Sequence, residues 1–334
     1  MKFISKTIKL IPVLFLVFGL TACSDDDDNN GNGVQATTVV DVALENNLTS
    51  LAAALEATGL VSTLQGTGPF TVFAPSNDAF TAFLTEEGID LDNLTTEQEA
   101  VVTNILLNHV IIGDNLLSTD LVAAGSGYTN TGATGPNGEN LSLYFSTTNG
   151  VVINGDSEVT DADNTATNGV IHIVDDVIEL PTIGTFATSN PALSILVDAL
   201  IYADDEGTPT VPYVDTVFDE EGAPLTVFAP TNDAFVNVLA ELNLTGFGEG
   251  QGELNAATTD AVLLAHIVSG NVQSSGLPNG TVSTIGGTDL IVDNSAFTLT
   301  DPNDRVTNIV TTLVNIQGIN GVVHVVDRVI LPSL

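Results

Sequence analysis

Four histidines are the side chains of this sequence best suited to move protons near neutral pH. They fall as two matched pairs, His109 with His172 and His266 with His324. Asp78, Asp175, Asp233 and Asp327 accompany them, so an acid–base pair or a metal site is one chemistry these residue types support. A packing role competes with it. His109 continues the apolar stripe of Val102, Ile105 and Leu106, and His172 interrupts a Val-Ile-His-Ile-Val run. Polar groups in such surroundings usually make one or two specific hydrogen bonds that fix packing. Asp78 and Asp233 fall in the first turn of a helix, where a carboxylate is favourable without catalytic duty. The sequence holds no Gly-x-Ser-x-Gly, His-Glu-x-x-His, phosphate-binding glycine loop or Cys-x-x-Cys. The expectation is a non-catalytic protein with no cofactor and no assigned metal site.

The elements that would position these residues occur twice. Residues 71–80 read Thr-Val-Phe-Ala-Pro-Ser-Asn-Asp-Ala-Phe and return at 226–235 with Thr231 in place of serine. Residues 168–175, Asn-Gly-Val-Ile-His-Ile-Val-Asp, return at 320–327 as Asn-Gly-Val-Val-His-Val-Val-Asp. The offsets are 155 residues from Asp78 to Asp233 and 152 from Asp175 to Asp327, the length of a domain rather than of a solenoid unit. Each first box reads as a short strand ended by proline, then Ser76 or Thr231 as N-cap. The helix that follows carries Phe80, Phe83 and Leu84 in one copy and Phe235, Val238 and Leu239 in the other. Ahead of the first box, Leu44, Leu48, Leu51 and Leu55 predict one helix stopped by Gly59. In the second copy Asn190 caps, Pro191 starts, and Leu193, Leu196, Val197, Leu200 and Ile201 line one face. Thr96 with Glu99 has capping-box spacing for the helix that reaches His109, and Val262, Leu263 and His266 match its end. Short strands are expected at 141–145, 151–153 and 290–292. Asn168-Gly169 and Asn320-Gly321 have the composition of a hairpin turn, after which a strand carries His172 or His324 toward Pro181 or Pro332.

Lys2, Lys6 and Lys9 precede an apolar run at 10–20 that is too short to span a bilayer, and Leu20-Thr21-Ala22 sets small residues before Cys23. This resembles a bacterial lipoprotein signal, in which residues 1–22 are removed and Cys23, the only cysteine, takes the lipid. Residues 23–37 read as an acidic, Asn-Gly-rich solvated tether. Its Ser-Asp-Asp-Asp-Asp start is similar to a surface-export signal of some Gram-negative lipoproteins, so the expected location is the outer membrane, facing outward. Beyond Cys23 only Arg305 and Arg328 stand against 42 carboxylates, a formal charge of −40. That excludes nucleic acid binding and attachment to anionic lipid by a basic patch. With 43% apolar residues the chain nonetheless folds. An acidic surface can gather divalent cations, so calcium stands as an unassigned helper, though no run has the spacing of a calcium loop.

The two boxes, in order and in both copies, resemble the signature segments of the fasciclin (FAS1) domain, from about Val39 onward. The resemblance implies an α+β fold with two consecutive domains, over 38–182 and 183–334, each a β-sandwich or wedge with helices packed on one side. It also implies cell adhesion or extracellular binding by a secreted or anchored chain. Asn77, Asp78, His109, His172 and Asp175, with Asn232, Asp233, His266, His324 and Asp327, then form its structural signature. A Tyr-His pair between the boxes is often associated with adhesion in this family. Here the matching positions read Asn108-His109 and Ala265-His266, so integrin-type recognition is not transferred.

Specificity is expected where the copies differ. Residues 125–140 form a Gly, Thr and Asn rich excursion around Tyr128. Residues 203–224 form an insertion holding Asp204, Asp205, Glu206, Asp215, Asp219, Glu220 and Glu221 with no basic residue. Partner or calcium binding by this insertion stands beside the reading of a merely solvated acidic loop. The expected role is a surface-anchored module touching a surface protein, a matrix polysaccharide or a like molecule. An accessory lipoprotein of an envelope or glycan-capture assembly is the alternative, and an envelope enzyme the third.

Overall fold

The computed structural model describes residues 37–333, so the signal-like segment, Cys23 and nearly all of the acidic tether lie outside the described residues. Repeat one runs α1 (Val39–Glu45), α2 (Thr49–Ala57), α3 (Val61–Leu64), β1 (Phe70–Pro75), α4 (Asn77–Glu86), α5 (Thr96–Asn108), β2 (Val110–Ile112), α6 (Ser118–Ala124), β3 (Ser126–Thr134), β4 (Asn140–Ser146), β5 (Val152–Ile153), β6 (Ser157–Ala166) and β7 (Gly169–Val174). Repeat two runs α7 (Ile183–Ser189), α8 (Ser194–Glu206), α9 (Tyr213–Phe218), β8 (Leu225–Pro230), α10 (Asn232–Glu241), α11 (Ala256–Leu264), β9 (Ile267–Ser269), β10 (Gly280–Ser283), β11 (Asp289–Asp293), β12 (Thr298–Thr300), β13 (Val306–Asn308), β14 (Ile316–Gly318) and β15 (Gly321–Val326).

The two boxes are neighbours in space. In each repeat the first-box strand pairs in parallel with the second-box strand, Phe70 opposite Gly169 and Leu225 opposite Gly321. All six residues of β1 are buried because both of its faces are covered, which is why the box is continuously apolar instead of alternating. Phe70, Val72 and Ala74 pack on helices α1, α2, α4 and α5, while Phe73 turns the other way onto Leu143, Phe145 and Ile153. Repeat two divides identically. Val227 and Ala229 meet the helices, and Phe228 meets Leu290, Val292 and Leu299. At the start of each second-box strand a Cβ would fall 2.2 Å from the Phe70 carbonyl oxygen or 2.1 Å from that of Leu225, so only glycine fits at 169 and 321.

In repeat one the sheet is seven-stranded, in the order β2-β1-β7-β6-β5-β4-β3. Register shifts in β6 near Asp161 bend it, so that β3–β5 fold back over the box strands. Repeat two splits the same layer into two four-stranded sheets, β14-β15-β8-β9 and β10-β11-β12-β13. The result is α+β in both halves.

Local details differ from the sequence reading. The first helix is two, because the chain turns at Asn47 with φ of 58°, which leaves Leu44 exposed while Leu48, Leu51 and Leu55 are buried. The capping box of α5 is Thr95 with Gln98, one residue earlier than expected. Strands β7 and β15 end at Val174 and Val326, well short of the prolines, and Ile201 lies outside the buried face of α8.

The repeats pack on one another through aromatic and polar contacts. Tyr128 meets Tyr144 at 5.0 Å between ring centroids and Phe186 of repeat two, edge-on, at 5.7 Å. The Tyr128 hydroxyl accepts from Asn190 Nδ2 at 3.0 Å, and the Gln317 backbone N–H of β14 donates to Ser142 Oγ of β4 at 3.0 Å. Tyr128→Ala should cost about 2–3 kcal/mol, lost packing plus an unpaired amide. Calorimetry of this variant is expected to resolve two unfolding transitions where the wild type shows coupled unfolding.

Candidate functional site

Most polar residues of the two boxes are placed by an element and engaged there. Ser76 Oγ and Thr231 Oγ1 accept from the Ala79 and Ala234 amides, capping α4 and α10, with Asp78 and Asp233 exposed in the first turns. Asn77 reaches back to the opening helices: its Oδ1 accepts from Ser50 N at 3.0 Å and its Nδ2 donates to Asn47 O at 2.7 Å. Asn232 repeats this with Ile195 N at 2.9 Å and Pro191 O at 2.9 Å. Asp175 accepts from the Glu158 amide and Asp327 from that of Asn308, each tying the end of the second-box strand to its neighbour.

The four histidines are buried, at 0–3% exposure, and all are engaged with backbone. His109 Nε2 accepts from Ile178 N at 2.8 Å, so the proton sits on Nδ1 and is donated to Ile105 O at 2.8 Å. His266 does the same with Ile330 N and Val262 O. His172 takes the other tautomer. Its Nδ1 accepts from Asp163 N and its Nε2 donates to Leu116 O, and His324 follows with Asn315 N and Val272 O. The His172 and His324 rings lie on Phe73 and Phe228, at 5.5 and 5.8 Å between centroids. Burial holds all four rings below the ordinary histidine range, His109 and His266 at about 4. The spaces beside His109 and His266 measure only about 10 and 30 Å³ and are lined almost wholly by apolar side chains. Ser118, Asp163 and His172 meet, yet not as a catalytic triad. Ser118 Oγ bonds the Asp163 carboxylate rather than the ring, whose Nε2 is already taken by Leu116.

Three asparagines hold backbone groups distant in sequence, a role that local pattern does not reveal. Asn168 Oδ1 accepts from Val39 N at the start of α1, and its Nδ2 donates to Leu64 O and Gly66 O. Asn320 repeats the clasp with Ile183 N and Val217 O. Both were visible only as turn composition, although their presence in both boxes was the available signal. Asn108, fully buried, donates to Ile178 O and Glu179 O.

A family model for the Fasciclin domain matches residues 46–181 and 210–332. The chain belongs to the fasciclin domain family. It is 27% identical over 272 residues to transforming growth factor-beta-induced protein ig-h3 of Sus scrofa, a match covering 81% of this chain and 36% of that one. It is 31% identical over 150 residues to cell surface glycolipoprotein MPB83 of Mycobacterium bovis, covering 45% of this chain and 60% of that one. A solved FAS1 domain pair from the insect cell adhesion molecule Fasciclin I aligns with 87% of this chain and 98% of its own, at 16% identity and a TM-score of 0.48. The chain thus spans less than two thirds of both curated relatives named here.

The segments that distinguish the two fasciclin repeats are less loop-like than expected. Residues 125–140 supply β3, and Tyr128 is spent between the repeats rather than offered to a ligand. Residues 203–224 include α9, anchored by fully buried Tyr213, whose hydroxyl donates to the Asp260 carboxylate at 2.7 Å. Asp204 caps α9 through the Tyr213 and Val214 amides, and Asp219 accepts from Glu221 N. Asp205, Glu206 and Asp215 are exposed on α8 and α9, and Glu220 and Glu221 follow α9. The structure therefore does not gather the seven acids. Among the described residues no three histidine, cysteine or acidic side chains are grouped to hold a metal ion.

Two outcomes follow. Asn168→Ala or Asn320→Ala leaves a backbone N–H and carbonyls unpaired and should cost about 2–4 kcal/mol in urea unfolding. The buried histidines make stability pH-dependent with a definite sign. Unfolded rings titrate near 6.5 and the folded His109 and His266 rings at about 4, so the unfolded chain binds more protons between those values. Their contribution is full above pH 6.5 and falls as pH drops toward 4, by up to about 3 kcal/mol per ring. Unfolding free energies at pH 7 and 5 check this, and a double His109→Gln, His266→Gln variant should show a flatter profile.

Proposed function

We propose that this protein is a non-catalytic binding module on the cell surface, mediating contact with other cells or with matrix. The observation that carries this reading is the consumption of all four histidines, and of the box asparagines, by backbone partners in both repeats. None of the four histidines is left with a free ring nitrogen to take a proton from a substrate or give one to it. The resemblance of residues 1–22 and Cys23 to a lipoprotein signal supports attachment by acyl chains, with 23–37 as spacer and 38–182 and 183–334 as the two domains. A relative, MPB83 of Mycobacterium bovis, is named a cell surface glycolipoprotein, which supports a surface location for this chain. The outer face of a Gram-negative outer membrane suits the Ser-Asp run after Cys23, and the partner is a surface protein, a polysaccharide or a like molecule.

Deleting the gene should abolish cell–cell aggregation or attachment while leaving growth unchanged. Loss of growth on one glycan with aggregation intact would favour the accessory role. Cys23→Ser should release the protein from membranes, and protease added to intact cells should degrade the wild type.

A further inference from the structure

The junction between the repeats is made by unlike faces. Repeat one contributes the outer side of β3 and β4 with the turn that joins them, and repeat two contributes α7, β14 and Asn271. Because the repeats share one fold, each also carries the half of this contact that the other uses. On repeat one the unused half is a groove beside Asn115. Asn115 and Asn271 correspond, since each precedes the residue whose N–H is held by Thr71 or Thr226. Asn271 Nδ2 donates to Pro136 O at 3.4 Å, Asn271 O accepts from Asn137 Nδ2 at 3.3 Å, and a Cβ on Gly135 would fall 3.2 Å from Gly318 O. Residues 135–137 thus fill the hollow in repeat two. In repeat one the matching hollow is open, a groove of about 670 Å³ walled by residues 65–69 and 166–169. No charged side chain lines it, in a chain with 42 carboxylates. Thr38, the N-cap of α1, is on its rim. Helix α1 corresponds to α7, because Asn168 and Asn320 hold their first N–H groups, and it carries Leu44, 50% exposed.

On repeat two the unused half is the outer face of β10–β13. Leu143 and Phe145 of β4 pack with Phe73 as Leu290 and Val292 of β11 pack with Phe228, so Ile291 occupies the place of Tyr144. Tyr144 is 3% exposed because repeat two covers it, whereas Ile291 is 60% exposed. Ile291 lies opposite Thr300, and Thr300 opposite Val306, which is 47% exposed. Both apolar side chains therefore share one uncovered face. Asp289 takes the place of Ser142, which accepts from the Gln317 N–H, and Thr165 takes the place of Gln317, since each precedes the second-box turn opposite Val170 or Val322.

We propose that copies of this chain associate head to tail, the outer face of β10–β13 of one copy docking on the Asn115 groove and α1 of the next. Repeating the step that relates repeat one to repeat two carries repeat two onto repeat one of a following molecule, so the file stays open-ended instead of closing as a pair. Ile291, Val306 and Leu44 leave water together. The uncharged groove presents no like charge to Asp289 and offers it neutral donors at Asn115 and Thr165. An unrelated partner matches one face at most, while a second copy supplies the complement of both. The net negative charge opposes the approach of copies, so association strengthens with salt. This deepens the binding-module reading by choosing a like molecule as the partner, and rests on it only in that choice.

The test is analytical ultracentrifugation of the chain from residue 24 onward, which keeps the tether and both repeats and carries no acyl group. Its average mass should rise with concentration past that of a dimer, more steeply at about 0.5 M than at about 0.15 M salt. Ile291→Asp with Val306→Asp, on one face, should leave a monomer, and so should Asn115→Glu with Thr165→Glu on the other. Val236→Asp with Asn237→Asp adds the same charge at exposed positions of α10 and should change association less than twofold. An equimolar mixture of the two blocked variants should form one-to-one dimers and nothing larger, because each keeps the face that the other lacks. A monomer at every concentration, growth that stops at the dimer, equal loss with the α10 pair, or a mixture that stays monomeric would each overturn the proposal. Aggregation of the deletion strain reads the adhesive role separately, so either reading can fail alone.

Discussion

A parallel strand pair covered on both faces sits at the middle of each repeat, and its polar groups have no water to turn to. Most are satisfied within the pair, but the ends and edges are not. Phe73 N–H goes to the His109 carbonyl and Phe228 N–H to that of His266. Thr71 and Thr226 use their hydroxyls to hold the crossing chain at Leu116 and Val272. Each unpaired group in such a place costs about 1–3 kcal/mol, a large part of a domain's net stability. The box asparagines and histidines serve the segments packed around that pair, Asn77 and Asn168 the opening helices and His172 the chain at Asp163 and Leu116, and the same bonds recur in repeat two.

The sequence made the box strands, the caps at Ser76 and Thr231 and the burial of the histidines legible, because those depend on local pattern or on apolar neighbours. What it hid depends on contacts distant along the chain. Asn168 serves α1 through Val39, 129 residues away, and Asn320 serves α7 through Ile183, 137 residues away. Tyr128 looked like the tip of a loop because a strand rich in Gly, Thr and Asn has weak β character until its partner strand and Phe186 are in place. The acidic insertion left binding and simple solvation open, because spacing in sequence cannot reveal that Asp204 is committed to the amides of α9. The break at Asn47 escaped notice because leucine spacing continued across it.

Charge is distributed without balance over this scaffold. Arg305 is locked between Glu241 and Asp301, and its Nη1 also donates to Val329 O, so one of the two basic residues beyond the signal-like segment serves the interior of repeat two. The remaining carboxylates repel one another and keep the surface soluble, and binding sites built on such a surface select against anions before any contact forms.

The junction through Tyr128, Phe186, Ser142 and Gln317 has a further consequence. Two similar faces joined by a floppy string can each find whatever lies within reach, whereas two faces bolted together keep one fixed separation. A ligand long enough to touch both repeats would therefore meet them at a single spacing and lose no linker entropy on reaching the second, which is the condition under which paired contacts add most to affinity.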